Sequence, residues 1–143
     1  MGPSLQIVFD ANDVPRLVAF WEQALDGYEQ QPPPPGYASW EAFAREQGIP
    51  EEQWDWWGAL VDTEGTRPRI LFQRVPEGKT AKNRVHFDIN VGQELDGDSR
   101  IVRVKVEADR LEALGASRQR EASERGEFWI VMQDPEGNEF CLQ

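Results

Sequence analysis

The sequence predicts an α+β fold: two βαβββ modules forming a curved mixed β-sheet, with one long helix of each module on the outside. Two observations carry this. Ile7-Val-Phe-Asp-Ala-Asn12 and Val85-His-Phe-Asp-Ile-Asn90 match as strands that share Phe-Asp-x-Asn. Each is followed by a stretch of helical spacing and then by further strand candidates. A repeat of roughly 70–80 residues is too long for a solenoid unit, so two copies of a larger module are expected. In each copy the apolar strand face packs on its helix, and the polar face lines a concave surface shared by the copies.

The elements follow in order. Leu5 to Asp10 reads as a strand, with Leu5, Ile7 and Phe9 pointing one way and Gln6, Val8 and Asp10 the other. Asn12 or Asp13 caps the next helix, and Pro15 sits in its first turn, where a missing N–H costs nothing. Val14, Leu17, Val18, Trp21 and Leu25 recur at helical spacing, and Gly27 stops the helix. Gln30 to Gly36 contains four consecutive prolines and is extended. Ser39 caps a short helix carrying Trp40, Phe43 and Ala44 that stops at Gly48, and Pro50 opens a second through Gln53. Strands are expected at 59–62 and 69–75, joined by a turn at Glu64-Gly65, followed by a polar loop over 76–83.

Val85 to Val91 is the clearest strand, with Val85, Phe87, Ile89 and Val91 on one face and His86, Asp88 and Asn90 on the other. Residues 100–114 place Ile101, Val104, Ala108, Leu111 and Leu114 at helical spacing before Gly115. Val102, Val104 and Val106 also alternate, which leaves a strand open for the first turns. The chain finishes with a strand at 128–132, a type I turn at Asp134-Pro-Glu-Gly137 and a strand at 139–142.

Composition narrows the function. The 143 residues are 39% hydrophobic and 29% charged, which excludes disorder and a membrane-embedded chain. The formal net charge of −11 repels phosphate backbones and anionic lipid, arguing against nucleic-acid and membrane partners. The N-terminal residues lack the basic and apolar regions of a signal peptide, and the single cysteine, Cys141, excludes an internal disulfide. A cytoplasmic protein is the expectation.

Asp13-Val-Pro-Arg-Leu-Val-Ala-Phe-Trp21, Arg84-Val-His-Phe-Asp88, Arg110-Leu-Glu-Ala-Leu-Gly-Ala116 and Trp129-Ile-Val-Met-Gln-Asp-Pro-Glu-Gly-Asn-Glu-Phe-Cys141 together resemble the glyoxalase-like domains of the vicinal oxygen chelate superfamily. That superfamily includes glyoxalase I, bleomycin-resistance proteins and extradiol dioxygenases. The resemblance implies one domain over 1–143: a first module over about 1–75, a Trp/Pro-rich insertion over about 32–58, and a second module over about 84–143. It also implies a homodimer.

In the metal enzymes of the superfamily four strands each give a ligand, usually His or Gln and Glu. Those positions fall here on Gln6 or Val8, on Phe72 or Gln73, on His86 and on Cys141. One strong ligand is kept and both carboxylates are missing. Hard divalent ions need oxygen ligands, and His86 with Cys141 gives two soft donors where a zinc centre takes four. The expectation is no metal, no cofactor and a purified protein without stoichiometric Ni, Zn, Fe or Mn.

The remaining candidates are catalytic or ligand-contacting. His86 is the only histidine; Asp88 and Asn90 share its face, and Asp10 matches Asp88 in the other copy. His86, Asp88 and Asp10 are the candidate acid–base residues, against the plainer reading that they cap turns or sit in water. Gln6, Gln73, Trp54, Trp56, Trp57, Trp129 and Cys141 are the candidate ligand contacts, the tryptophans as flat walls or as core. Residues 67–84 hold six bases and one acid, read as a band paired to acidic surface such as Glu51, Glu52 and Asp55, or as an anion-recognising rim. Three functions follow: a metal-independent small-molecule-binding protein similar to the bleomycin-resistance branch, a lyase or isomerase using an Asp or His base, and a partner domain with a vestigial cavity.

Overall fold

A computed structural model describes residues 2–143. The chain divides into two compact units, Met1–Gly78 and Lys79–Gln143.

In the first unit β1 (Ile7–Ala11) leads into α1 (Val14–Ala24) and β2 (Tyr28–Gln30), and an insertion with α2 (Trp40–Glu46) and a 3₁₀ turn (Glu51–Gln53) precedes β3 (Trp57–Asp62) and β4 (Ile70–Arg74). The strands pair in the order β1-β4-β3-β2, with β1 and β4 parallel. Alternation decides which face is covered. Ala11 of β1, Leu60 of β3, and Ile70 and Phe72 of β4 are buried with Val14, Leu17, Val18 and Trp21 of α1 in the core, and Phe9 of β1 is half-buried beside them. The Phe9 ring stacks on Phe72 at 5.1 Å and lies 5.3 Å from Trp21. Gly58 lets α1 come close, since a Cβ there would stand 2.9 Å from Val18 Cγ2. Asp13 caps α1 by accepting from Arg16 N at 3.2 Å, with Pro15 in the first turn. The β3–β4 turn is built on Asp62. Its carboxylate accepts from Thr66 N (2.8 Å), Arg67 N (2.9 Å) and Arg67 Nη2 (2.6 Å), and the Arg67 guanidinium holds its pKa far below the usual carboxylate range.

The second unit repeats the plan with β5 (Phe87–Ile89), α3 (Gly97–Ala113), β6 (Ser117–Glu124), β7 (Glu127–Gln133) and β8 (Glu139–Leu142). The order is β5-β8-β7-β6, with β5 and β8 parallel. Val104, Ala108 and Leu111 of α3 are fully buried, as are Ile130 and Met132 of β7 and Leu142 of β8. The α+β class and the two βαβββ modules are as expected, and the ladders close as two four-stranded sheets, one in each module.

Several boundaries differ from the sequence reading. Leu5 is 72% exposed and lies outside β1, and Val85 is 81% exposed and lies outside β5. The strand expected over 85–91 shrinks to three residues because it pairs only with Phe140, Cys141 and Leu142. Trp57 and Gly58, placed in the insertion, open β3. The helix expected from residue 100 begins at Gly97; Val102 and Val106 point outward while Val104 is buried, which decides against a strand there. The strands β2 and β6 were not anticipated. One has three residues, and the other, Ser-Arg-Gln-Arg-Glu-Ala-Ser-Glu, has no apolar face. Both are edge strands, which need less apolar surface, and charge on an edge discourages pairing with another chain. Among the described residues no helix is long and apolar enough to cross a membrane.

Candidate functional site

Each sheet has a second face that its long helix does not cover. In the second module that face carries His86 and Asp88 on the β5 side. Phe87 and Ile89 pair with the buried Phe140 and Leu142, and Asp88 falls opposite Cys141. The row continues through Val131 of β7 to Arg120 of β6. His86 Nε2 lies 3.3 Å from Asp88 Oδ1, and both side chains are nearly half exposed. One donor atom from each of His86, Asp88 and Cys141 can be chosen so that all three lie within 4.8 Å of one another. Burial pushes the Cys141 thiol pKa up and the neighbouring Asp88 charge adds to this, with Arg120 and Lys82 acting in the opposite sense. A thiol so placed is no thiolate nucleophile at neutral pH.

Glu139 lies on the same face two residues before Cys141, and the sequence reading did not single it out. Its carboxylate accepts from Asn83 N at 2.9 Å and pairs with Lys79 at 3.1 Å, which ties the 79–83 loop to β8. Burial pushes its pKa up, but the hydrogen bonds from Asn83 N and from its own backbone N–H, together with Lys79, bring the net direction down. Asn90 accepts from Gln143 Nε2 at 2.9 Å. Trp129 alternates with Val131 on this uncovered face and is half-buried.

The matching face of the first module is built differently. Asp10, Gln73 and Trp57 form one row across β1, β4 and β3, and Val8, Leu71 and Ala59 form the row beside it. Gln73 Nε2 donates to Asp10 Oδ1 at 2.8 Å. Trp57 is 53% exposed. Gln6 accepts from Arg69 Nη1 at 2.8 Å, and Arg69 Nε donates to Gln31 Oε1 at 2.7 Å. The other two tryptophans of the cluster are held by the insertion and by β4. Trp54 donates from Nε1 to Ile49 O at 2.9 Å and lies under Arg45, while Trp56 lies under Arg74 with its ring 6.1 Å from that of Trp57. Of the basic band, Arg67 pairs with Asp62 and Lys79 with Glu139.

Register settles the internal correspondence. Phe9 pairs with Phe72 as Phe87 pairs with Phe140. Val8 therefore stands where the second module has His86, Asp10 where it has Asp88, and Gln73 where it has Cys141. Phe72 is fully buried on the helix side, so of the two candidates on that strand Gln73 is the one on the open face.

The profile of the Glyoxalase-like domain family matches residues 6–143. The chain belongs to that family. This glyoxalase-like domain lies within the vicinal oxygen chelate superfamily, and solved structures share its fold at low identity. A mutant of the genomically encoded fosfomycin resistance protein FosX from Listeria monocytogenes, complexed with Mn(II) and 1S,2S-dihydroxypropylphosphonic acid, is 17% identical with a TM-score of 0.61, covering 100% of this chain and 90% of that one. A glyoxalase/bleomycin resistance protein/dioxygenase family enzyme from Burkholderia phytofirmans PsJN is 16% identical with a TM-score of 0.60, covering 96% and 94%. The hypothetical protein SA1046 from S. aureus has a TM-score of 0.62 at 10% identity, covering 99% and 93%. No curated protein matches the sequence significantly.

The donor chemistry of this glyoxalase-like domain does not fit a hard ion of the Mn(II) kind. In the first module the positions matching His86 and Cys141 hold Val8 and Gln73, and Asp10 is bonded by that Gln73. In the second a thiol stands at Cys141, and the carboxylate of Glu139 is taken by Asn83 and Lys79. Hard divalent ions take several oxygen ligands.

Proposed function

We propose that this glyoxalase-like domain is a small-molecule-binding protein, similar to the bleomycin-resistance branch, that holds its ligand without a resident hard divalent ion. The observation that carries this is the Asp10–Gln73–Trp57 row. A broad, half-exposed indole stands at one end of a polar pair, next to the apolar strip of Val8, Leu71 and Ala59. Such a surface suits a flat, partly apolar molecule: the indole gives contact area with only two torsions to freeze, and the Asp10–Gln73 pair supplies the few polar contacts that set orientation. The missing carboxylate ligands argue that binding, and not metal-assisted chemistry, is what this face supports.

The test is a screen of aromatic antibiotics, acyl and hydroxy acids and glutathione-like thiols, read by melting temperature and by tryptophan fluorescence. A true ligand at 100 times its dissociation constant stabilises by about 2.7 kcal/mol, and Trp57→Ala removes the shift while leaving the fold. No shift from any class sinks the proposal and leaves the vestigial-cavity reading.

The 3.3 Å contact between His86 and Asp88 favours a second reading, a lyase or isomerase in which Asp88 orients His86 as general base. Turnover of a screened compound that His86→Gln abolishes, with binding retained, selects that reading.

A further inference from the structure

We infer that the open face of the first module takes a dipolar ligand: a cationic end held at Asp10, an anionic end held at Arg69, and an apolar body lying between them along Val8, Leu71 and Ala59. The inference deepens the binding proposal and rests on that reading of the Trp57 face.

Alternation sets the two poles on one face. Asp10 pairs with Gln73, and Val8 with Leu71. Gln6 and Arg69 each stand one residue before the paired Ile7 and Ile70, so they continue the same side. From Asp10 back to Gln6 is about 13 Å of strand, at roughly 3.3 Å per residue. Neither pole is neutralised by the protein. Gln73 Nε2 donates to Asp10 Oδ1 at 2.8 Å, and among the described residues Oδ2 has no partner. The half-buried Arg69 meets two amide oxygens, donating from Nη1 to Gln6 Oε1 at 2.8 Å and from Nε to Gln31 Oε1 at 2.7 Å. Among the described residues no carboxylate pairs with it, and its Nη2 has no partner. Glu29, exposed on the edge strand β2 where it pairs with Val61, makes no ion pair with it. The neighbouring bases differ: Arg67 is taken by Asp62, and Arg74 lies over Trp56.

The partners of each pole choose the ligand. Two glutamine oxygens orient the Arg69 guanidinium before a ligand arrives, which lowers the ordering cost of binding. Being neutral, they leave its charge to a carboxylate, which a guanidinium binds through charge-assisted hydrogen bonds. Gln73 does the same for Asp10, whose open oxygen suits an ammonium. Between the poles, Val8, 46% exposed, stands beside Leu71 and Ala59, a strip that offers no side-chain partner to a charge and suits methylenes or a ring. A ligand with one charge meets one pole only; a ligand with opposite charges at its two ends meets both.

The test uses untagged full-length protein at neutral pH. Four probes of one chain length are titrated: ω-aminooctanoate, octanoate, octylamine and octanol. The Trp57 indole N–H, assigned by its loss in Trp57→Ala, is followed by NMR. The expected result is that ω-aminooctanoate binds roughly tenfold tighter than octanoate or octylamine, since a hydrogen bond to a charged group contributes on that order. Octanol binds weakest. Arg69→Gln brings the affinity for ω-aminooctanoate down to that for octylamine, and Asp10→Asn brings it down to that for octanoate, with the circular dichroism unchanged. Equal affinities for all four probes in the wild-type protein overturn the inference whatever the variants do, as does the absence of ω-aminooctanoate binding. The binding proposal fails separately, when no compound of the broader screen shifts the melt. Four equal affinities, all lost in Trp57→Ala, leave that proposal standing while the dipolar ligand falls.

Discussion

Asp134→Ala tests the β7–β8 turn that sets the register of Cys141. Asp134 is 3% exposed. Its Oδ1 accepts from Glu136 N and Asn138 N, each at 2.9 Å, and its Oδ2 from Asn138 Nδ2 at 2.8 Å. The backbone closes the same turn through Gly137 N to Asp134 O at 2.9 Å, with Gly137 at φ 87, a conformation that glycine adopts freely. Hydrogen bonds to a charged group contribute about 1.5–3 kcal/mol each when their donors are left without water. Here Glu136 and Asn138 are only half-buried, so water recovers part of the loss. The expected cost of Asp134→Ala is about 3 kcal/mol. Asp134→Asn keeps Oδ1 as acceptor for both backbone N–H groups and forfeits chiefly the charge and the Asn138 side-chain bond, for about 1 kcal/mol. Urea unfolding followed by far-ultraviolet circular dichroism measures both, and hydrogen exchange at Phe140 and Leu142 places the loss at β8. An Asp134→Ala variant within 0.5 kcal/mol of wild type, the range of neutral surface changes, would refute the argument that this carboxylate builds the turn. Equal losses from the two variants would refute the division between its oxygens.

Three further outcomes follow from the packing. Leu111→Ala, in the core beneath α3, costs about 2–5 kcal/mol, whereas Val106→Ala on its exposed face stays within about 0.5 kcal/mol; a denaturant melt of the pair checks the helix assignment. Gly58→Ala forces a Cβ to 2.9 Å from Val18 Cγ2 and destabilises by about 1–3 kcal/mol, and Gly58→Ala combined with Val18→Ala recovers part of this by chemical denaturation. Asp62 has its folded pKa depressed, mainly by the Arg67 hydrogen bond. Its contribution is therefore present above the usual carboxylate range and lost as pH falls from about 4 downward. Asp62→Asn removes that contribution, so a stability–pH profile of the variant is flatter on the acid side than wild type; parallel profiles would contradict the assignment.

What the sequence disclosed, and what it withheld, has a physical pattern. The helix α1 was readable from Asp13, Pro15 and the Val14–Leu17–Val18–Trp21 stripe because cap and periodicity agree. The turn at Asp134 and the strand Glu139–Leu142 were readable because Pro135 and Gly137 punctuate the chain. The edge strands were not: β6 buries almost nothing, so its eight residues carry no period-two signal, and only pairing with β7 makes it a strand. At the candidate site, His86 and Asp88 were visible as one face of one strand. That Asp88 sits opposite Cys141 depends on β5–β8 register, which lies between segments distant in sequence. Glu139 was hidden for a related reason, because the partners that occupy it, Asn83 and Lys79, come from a loop with no periodicity. The tryptophan cluster was visible as composition, yet only geometry separates Trp57, open on β3, from Trp54, whose indole is bonded to Ile49.

The proposed binding at the Trp57 face needs no hard divalent ion. It is tested most directly by titrating the first compound that shifts the melt into the protein twice by isothermal calorimetry, once with EDTA and once with excess MnCl₂. The expected result is the same dissociation constant in both and loss of binding in Trp57→Ala under both conditions. Binding that appears only with Mn²⁺ would contradict it.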